Sequence, residues 1–527
     1  MHLSSLSKSI TKTGKNKFST HKYLLIVLTI YFITHLLNLT VIPIFNDESI
    51  YLDWAWFHTH ALGHLFDSLL DAKQPLIIWV FGIFLRIFPD PLFAGRFASV
   101  LIGSLTLGGI YTISKKLFEE KVAFLASIIF ITAPLFIFFN RQALLESAVA
   151  CVSVWLFYIV LILIEKPTTK SAILLGFVFG VSLFIKATGT IYILISLLII
   201  LSVYLKTRKI AYLKSLFITL GTWIAVDAII FINPVFWSQL PTNSRYALTI
   251  SEIISFPINN WLSNLSGFLE IGVMFVTPLI FFGSIIGLIL ISKNRKRNQK
   301  LFLVYFITAL IIEILVTRTQ GIRYLMPFLP FLSISAGYLV YLFWKRGLLA
   351  KGVVVVYLAF SSILSIWLIY DPKNYIIQMA RISKYSPTYY YYGQTSGIGV
   401  NEVVKYIGEN ASNVTPSMVF IALNIGNPES AIDLYTLKSQ NLVGLHLDST
   451  FFPDLEQYDC TTSEIPVFFV TRENQLRGMD RFFELAKSFP NEEYSLNTYT
   501  LKKSCEGNSF SLSDLYRDSV VKSLRIR

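Results

Sequence analysis

The chain has 527 residues, of which 54% are hydrophobic and only 15% charged, and its formal net charge is +13. This composition excludes a string of water-soluble domains over most of the length and describes a chain that crosses a membrane many times. The cations sit in short clusters between apolar runs, as in membrane-protein loops, which argues against nucleic acid as a partner.

Residues 1–22 are polar and basic, with Lys8, Lys12, Lys15, Lys17 and Lys22, and predict a solvated cytoplasmic tail. The apolar run that follows is about twenty residues long with no small-residue cleavage site behind it, so it predicts a retained anchor rather than a cleaved signal. About eleven spans of roughly twenty residues each are expected. They fall near 23–44, 94–114, 121–139, 143–164, 171–186, 189–205, 211–232, 270–292, 301–317, 324–344 and 350–370. One alternate set of loops is rich in cations, among them Lys115, Lys116, Lys166, Lys206, Arg208, Lys293, Arg297, Lys345 and Arg346. The other set holds only Lys73, Arg86, Arg141, Lys186, Arg245, Arg318 and Arg323. The rich set belongs in the cytoplasm with the N-terminal tail, and an odd number of spans then puts the C-terminal region outside the plasma membrane.

The first long outer loop, 45–93, opens on Phe45-Asn46-Asp47-Glu48-Ser49-Ile50-Tyr51, directly after the first span. An aromatic run with His58, His60 and His64 follows, then Asp67, Asp71 and Lys73-Gln74-Pro75. Ile50, Trp54, Phe57, Ala61 and Leu65 share one helical face, which predicts a helix lying in the membrane interface over 50–65. A second such helix is expected over 76–88, started by Pro75 and ended by Pro89-Asp90-Pro91. The second long outer loop, 233–269, carries several aromatics and Arg245. Beyond Asp371 the composition changes, and the tyrosine run 389–392 suits a membrane–water boundary. A helix over 401–408 and strands over 418–423, 465–471 and 494–501 predict an extracytoplasmic α/β domain spanning 371–527, set against a transmembrane domain of 23–370. Cys460 and Cys505 are candidates for a disulfide in such an exported domain.

Carboxylates as close to hydrocarbon as Asp47 and Glu48 cost free energy unless a cavity, a cation or a substrate holds them. Their plain role is to cap the interfacial helix. Their place at the head of a long outward loop favours general-base catalysis, in which a carboxylate takes the proton of an acceptor hydroxyl attacking a sugar carbon. Lys73 is either a snorkelling lysine or a ligand for a phosphate leaving group. Arg323, in Gly321-Ile322-Arg323-Tyr324, offers a fork of donors suited to phosphate, with a topological anchor as its plain role. Arg141 and Glu146 stand five apart at the entrance of the fourth span, so each is expected to meet a partner from elsewhere. Lys186 is a similar cation between two spans, and Asp227 and Glu313 are intramembrane acids with no motif around them. His60 and His64 lie at i, i+4 with Asp67 one turn on, a sparse outline of a divalent-metal site without the His-Glu-x-x-His arrangement. No glycine-rich nucleotide loop occurs, so an outward-facing transferase would draw its activated donor from the bilayer.

These features, in this order, resemble the GT-C glycosyltransferases, in the branch of protein O-mannosyltransferases and aminoarabinose transferases. The resemblance rests on Asp47-Glu48 with Tyr51, on Lys73-Gln74-Pro75-Leu76 where the branch has Lys-Pro-Pro-Leu, and on Gly95-Arg96 opening the second span. It extends to Arg141 with Glu146 where many members have Asp, to Lys186 ending a glycine-rich fifth span, and to Arg323-Tyr324-Leu325-Met326-Pro327. It covers about residues 20–345. The resemblance implies a GT-C fold, a polyprenyl-phosphate sugar donor of undecaprenyl or dolichyl type, a protein or glycolipid acceptor, and an inverting transfer on the outer face. Asp47 would be the base, with Glu48 and Glu146 orienting donor or acceptor. Lys73 and Arg323 would hold the phosphate, with Arg96 and Arg141 as further candidates, and Tyr51, His58, Lys186 and Tyr324 would line the substrate site. The resemblance assigns no certain cofactor, and a divalent metal is left open. A transporter is the main alternative, because isolated intramembrane acids also mark ion pathways; its signature, matching inverted halves, is not visible.

Overall fold

The computed structural model describes residues 22–511 apart from 61, 394, 412–416, 423–428, 437–441, 448–457, 464–465, 473–478, 491–494 and 503–504. The basic tail predicted over 1–22 lies outside these residues except for Lys22.

In lipid the backbone must satisfy its own hydrogen bonds, and every apolar run singled out above is helical. Among the described residues six helices are long and apolar enough to cross a membrane: Pro91–Leu117, Glu146–Glu165, Gly189–Thr207, Ile210–Phe231, Arg297–Val316 and Leu348–Tyr370. Glu120–Thr132 and Pro134–Asn140 are together long and apolar enough for a seventh, but they meet at a bend of 69°, as in a broken span or a re-entrant loop. The chain is a multi-span membrane protein. At the four remaining expected places the helices are shorter than the twenty residues anticipated: Lys22–Leu36, Thr169–Ile185, Pro278–Ser292 and Leu329–Trp344. The span expected over 270–292 is in fact the end of helix Ile258–Phe275 followed by Pro278–Ser292. Thr277 interrupts it by capping the second helix, its hydroxyl accepting from the Ile280 N–H, and Pro278 has no N–H with which to continue the first. The interfacial helix expected over 50–65 starts earlier, as Asn46–His60, and gives way to the 3-10 turns Leu62–His64 and Asp67–Asp71.

The bend at Pro134 has an identifiable cause. Ala133 is extended (φ −78°, ψ 120°), as a residue before proline prefers. The Thr132 carbonyl beside the break accepts hydroxyls from Ser361 and Ser365, at 2.5 and 2.8 Å. Close packing elsewhere depends on small residues. A Cβ on Gly287 would lie 2.1 Å from the Ser335 carbonyl oxygen, and Ser284 donates to the Leu332 carbonyl at 2.9 Å.

The chain divides into two compact units. One comprises residues up to 39, 61–84 and 95–386; the other comprises 40–60, 85–94 and the chain from 387 onward. The second unit is built on a five-stranded sheet of β1 (Ser417–Ala422), β2 (Leu442–Leu447), β4 (Val467–Arg472), β5 (Phe483–Phe489) and β6 (Leu496–Leu501), in the order β2-β1-β4-β6-β5. Strand β1 runs parallel to β2 and β4, and β6 pairs antiparallel with β4 and β5. Strands β3 (Cys460–Thr462) and β7 (Ser509–Ser511) form a separate parallel pair, with a disulfide joining Cys460 to Cys505. Strands β1, β4 and β6 stand where the sequence predicts them; β2 and β5 are additional to those expected. Within this unit the Asn46–His60 helix packs on helix Glu429–Thr436.

Gly287→Ala should lower the unfolding midpoint of the purified protein, at a cost of about 1–3 kcal/mol, because a backbone carbonyl must move to admit the methyl. Gly221→Ala, where nothing lies within 4 Å of the added carbon, is the control and should unfold near the wild-type midpoint.

Candidate active site

In the helical unit, five elements bring charged and phenolic side chains to one narrow cleft lined by Glu146, Lys186, Tyr192, Glu313, Arg323 and Tyr324. Glu146 is the first residue of helix Glu146–Glu165, where the aligned peptide dipoles favour a negative charge. Lys186 follows the last turn of helix Thr169–Ile185, its N–H bonded to the Ser182 carbonyl. Its Nζ reaches Glu146 Oε1 at 2.9 Å. Arg323, from the 3-10 turn Ile322–Leu325, brings Nη1 to 3.9 Å from the same oxygen. Two cations therefore share one carboxylate that is only 5% exposed. The Tyr324 hydroxyl lines the same cleft.

Glu313, an acid without a motif in the sequence, lines this cleft too, and the Thr317 hydroxyl donates to its Oε1 at 3.0 Å. Gln74, where the chain departs from Lys-Pro-Pro-Leu, is 3% exposed, and its Oε1 accepts the Ala187 N–H at 3.2 Å. The departure thus ties the first long loop to the turn that carries Lys186.

Lys73 approaches the Tyr246 hydroxyl at 3.4 Å and Asp71 at 3.7 Å, with its ammonium 4.8 Å from the Tyr246 ring centre. Arg245 donates to Asp71 at 2.6 Å, which holds the guanidinium above its ordinary pKa. Arg318 bonds the Ser244 carbonyl at 2.7 Å and Glu252 at 2.8 Å. The second long loop is thereby tied both to Lys73 and to the segment before Arg323, a junction the sequence does not signal because its partners lie far apart in the chain.

Arg96 and Arg141 do something different. Arg96 donates to the Leu39 carbonyl at 3.0 Å, and Arg141 Nη2 to the carbonyls of Leu37 and Asn38, both at 2.6 Å. They close the C-terminal end of helix Lys22–Leu36, where carbonyls have no partner in the helix.

Asp47, Glu48, Tyr51 and His58 belong to the second unit, on helix Asn46–His60. Asp47 is half-buried, whereas Glu48 is fully buried and its Oε2 accepts the Phe45 N–H at 3.0 Å. Tyr51 and His58 are buried on the same helix. Among the described residues no group of three or more His, Cys, Asp or Glu gathers as a metal site. His64 Nδ1 instead meets Asp67 Oδ2 at 2.6 Å, and His60 stacks on Trp56.

Residues 72–237 match the family described as dolichyl-phosphate-mannose-protein mannosyltransferase. No curated protein matches the chain. In fold the chain is similar to ArnT from Cupriavidus metallidurans bound to undecaprenyl phosphate, with a TM-score of 0.58 and 15% identity over 90% of this chain and 97% of that one. The apo state of the same protein matches with a TM-score of 0.58 and 15% identity, over 93% of this chain and 98% of that one. The architecture is the GT-C fold, a helical membrane unit with a C-terminal α/β region.

The Glu146–Lys186 pair should be coupled. Lys186→Met, which leaves a buried carboxylate with Arg323 alone, should cost about 2 kcal/mol of stability, and adding Glu146→Gln should recover at least about 1 kcal/mol of it. Unfolding of the four proteins in one detergent checks this; additive losses would mean that the pair does not interact.

Proposed function

We propose that this chain, a GT-C membrane glycosyltransferase of the protein mannosyltransferase and aminoarabinose transferase branch, moves a sugar from a polyprenyl phosphate to an acceptor hydroxyl on the outer face of the membrane. The observation that carries the reading is the cleft in which Lys186 and Arg323 share Glu146 beside the Tyr324 hydroxyl. Two cations held side by side suit a phosphate oxygen, and a lipid phosphodiester brings one. Undecaprenyl phosphate on ArnT supports the same ligand class.

The acceptor oxygen attacks the anomeric carbon from the face opposite the phosphate. Its proton passes to Asp47 as the new carbon–oxygen bond forms. The bond from the anomeric carbon to the phosphate oxygen breaks, and the polyprenyl phosphate leaves with an added negative charge, so the anomeric configuration inverts. Lys73, Arg323 and Lys186 stabilise that charge, which fixed cations in a partly dehydrated cleft do better than water. Glu146 holds the two cleft cations in place, and Glu313 faces the polar substituents of the sugar. Glu48, bonded to the Phe45 N–H, orients the turn that carries Asp47. Tyr51 and His58 support that helix from its buried side, and Arg96 and Arg141 anchor the first helix rather than the phosphate. The acceptor is a protein or glycolipid hydroxyl.

The orientation proposed puts the N-terminus in the cytoplasm and residues 371–527 outside, in the plasma membrane. The loop cations follow that order, and the Cys460–Cys505 disulfide suits an oxidising compartment.

Asp47→Asn should reduce sugar transfer in membranes by about 10²–10⁴-fold with abundance and topology unchanged. Transfer near wild type would remove Asp47 as the base. Lys73→Ala should raise the half-saturating donor concentration about tenfold, equivalent to about 1.4 kcal/mol, and leave that of the acceptor unchanged. Equal shifts for donor and acceptor would exclude a phosphate contact.

A further inference from the structure

We infer that Arg472, at the end of β4, is a positioning residue for the reaction: it fixes a backbone strap that sets where the Asp47 helix begins. The inference rests on the reading of Asp47 as the base.

Every link lies within the second unit. Arg472 is fully buried, one of the largest side chains in the protein to be so. A buried guanidinium is costly unless its donors are met. Here Nη2 donates to the Ser396 carbonyl and Nη1 to the Ile398 carbonyl. The segment so held lies against the start of the helix. Ser396 forms an antiparallel bridge with Phe45, and the Asn46 N–H donates to the Thr395 carbonyl at 3.0 Å. A Cβ on Gly397 would fall 2.4 Å from the Ile44 carbonyl oxygen, so no larger residue lets the two backbones approach this closely. Ser396 also shapes the strap, its hydroxyl donating to the Tyr391 carbonyl at 2.7 Å and accepting the Ile398 N–H at 3.2 Å.

From there the path to the carboxylates is one turn long. The Phe45 ring packs on Tyr390, with centres 4.1 Å apart, and its N–H is bound by Glu48. The Ser49 N–H bonds the Phe45 carbonyl at 3.0 Å, which begins the helix. Asp47 lies inside this turn. A side chain from the C-terminal sheet thus defines, through two carbonyls and one bridge, the backbone that carries the base. The C-terminal region becomes part of the reaction without touching substrate.

The test compares full-length Arg472→Ala, Arg472→Lys, Gly397→Ala and Asp47→Asn with the wild type. Amide exchange is followed over residues 44–52, thermal stabilisation is measured with undecaprenyl phosphate as probe, and sugar transfer is measured in native membranes. Arg472→Ala and Gly397→Ala should each speed exchange over 44–52 about tenfold, as loss of a hydrogen bond of the usual strength would. Each should lower transfer by at least as much, with stabilisation by undecaprenyl phosphate unchanged. Arg472→Lys, which keeps a donor, should recover part of both. If Arg472→Ala also unprotects β1, β4 and β6, Gly397→Ala decides, since it alters no sheet residue. Wild-type exchange over 44–52 in Gly397→Ala, or wild-type transfer despite faster exchange there, overturns the inference. Transfer retained by Asp47→Asn would instead overturn the base assignment and leave the exchange result to judge the strap alone.

Discussion

A carboxylate buried among apolar helices must be met by cations or hydrogen-bond donors, and at Glu146 two cations meet one. Its position at the head of a helix, with Lys186 at 2.9 Å and Arg323 at 3.9 Å, brings together elements that are otherwise separate in sequence. The break at Pro134 and the turn after Asn140 bring the chain to Glu146. The short helix Thr169–Ile185 ends in time for Lys186 to turn back. The 3-10 turn Ile322–Leu325 presents Arg323 instead of burying it in a longer helix. Irregular backbone at these three points is the means by which a helical bundle acquires a polar cleft.

Much of this was legible in the sequence, for physical reasons. Apolar runs must be helical in lipid, so the long apolar helices were visible, and an acid inside one of them, Glu146, marked itself by its cost. Helix lengths were less legible. Thr277-Pro278 ends one helix and starts another within a continuous apolar run, and hydropathy alone reads straight through it. The partners of each charge were hidden too, because spacing along one helix reports only neighbours three or four residues away. Arg96 and Arg141 illustrate this: both are cations beside a span, yet they close the carbonyls at 37–39. Glu313 stands at the opposite pole. It had no motif, and only the fold places it beside Tyr192 and Tyr324.

The proposed base and the proposed phosphate ligands are built by different means. The cations are held by helix ends and by ion pairs whose partners are side chains. Asp47 is held through backbone: the Phe45–Ser396 bridge, the Asn46 bond to Thr395 and the close passage of Gly397 past Ile44. Side-chain ion pairs can exchange partners when an anion arrives, whereas a backbone strap keeps its geometry. That division suits a reaction in which the leaving group changes charge while the proton acceptor must stay aligned.

The central claim is that a lipid phosphate is the anion for which the cleft cations are arranged. A cryo-electron microscopy structure of the protein in nanodiscs with undecaprenyl phosphate tests it most directly. The account predicts phosphate density within hydrogen-bonding distance of Arg323, with Lys73 turned from Tyr246 towards it. Density for the phosphate elsewhere, with Lys186 and Arg323 still on Glu146, would contradict it.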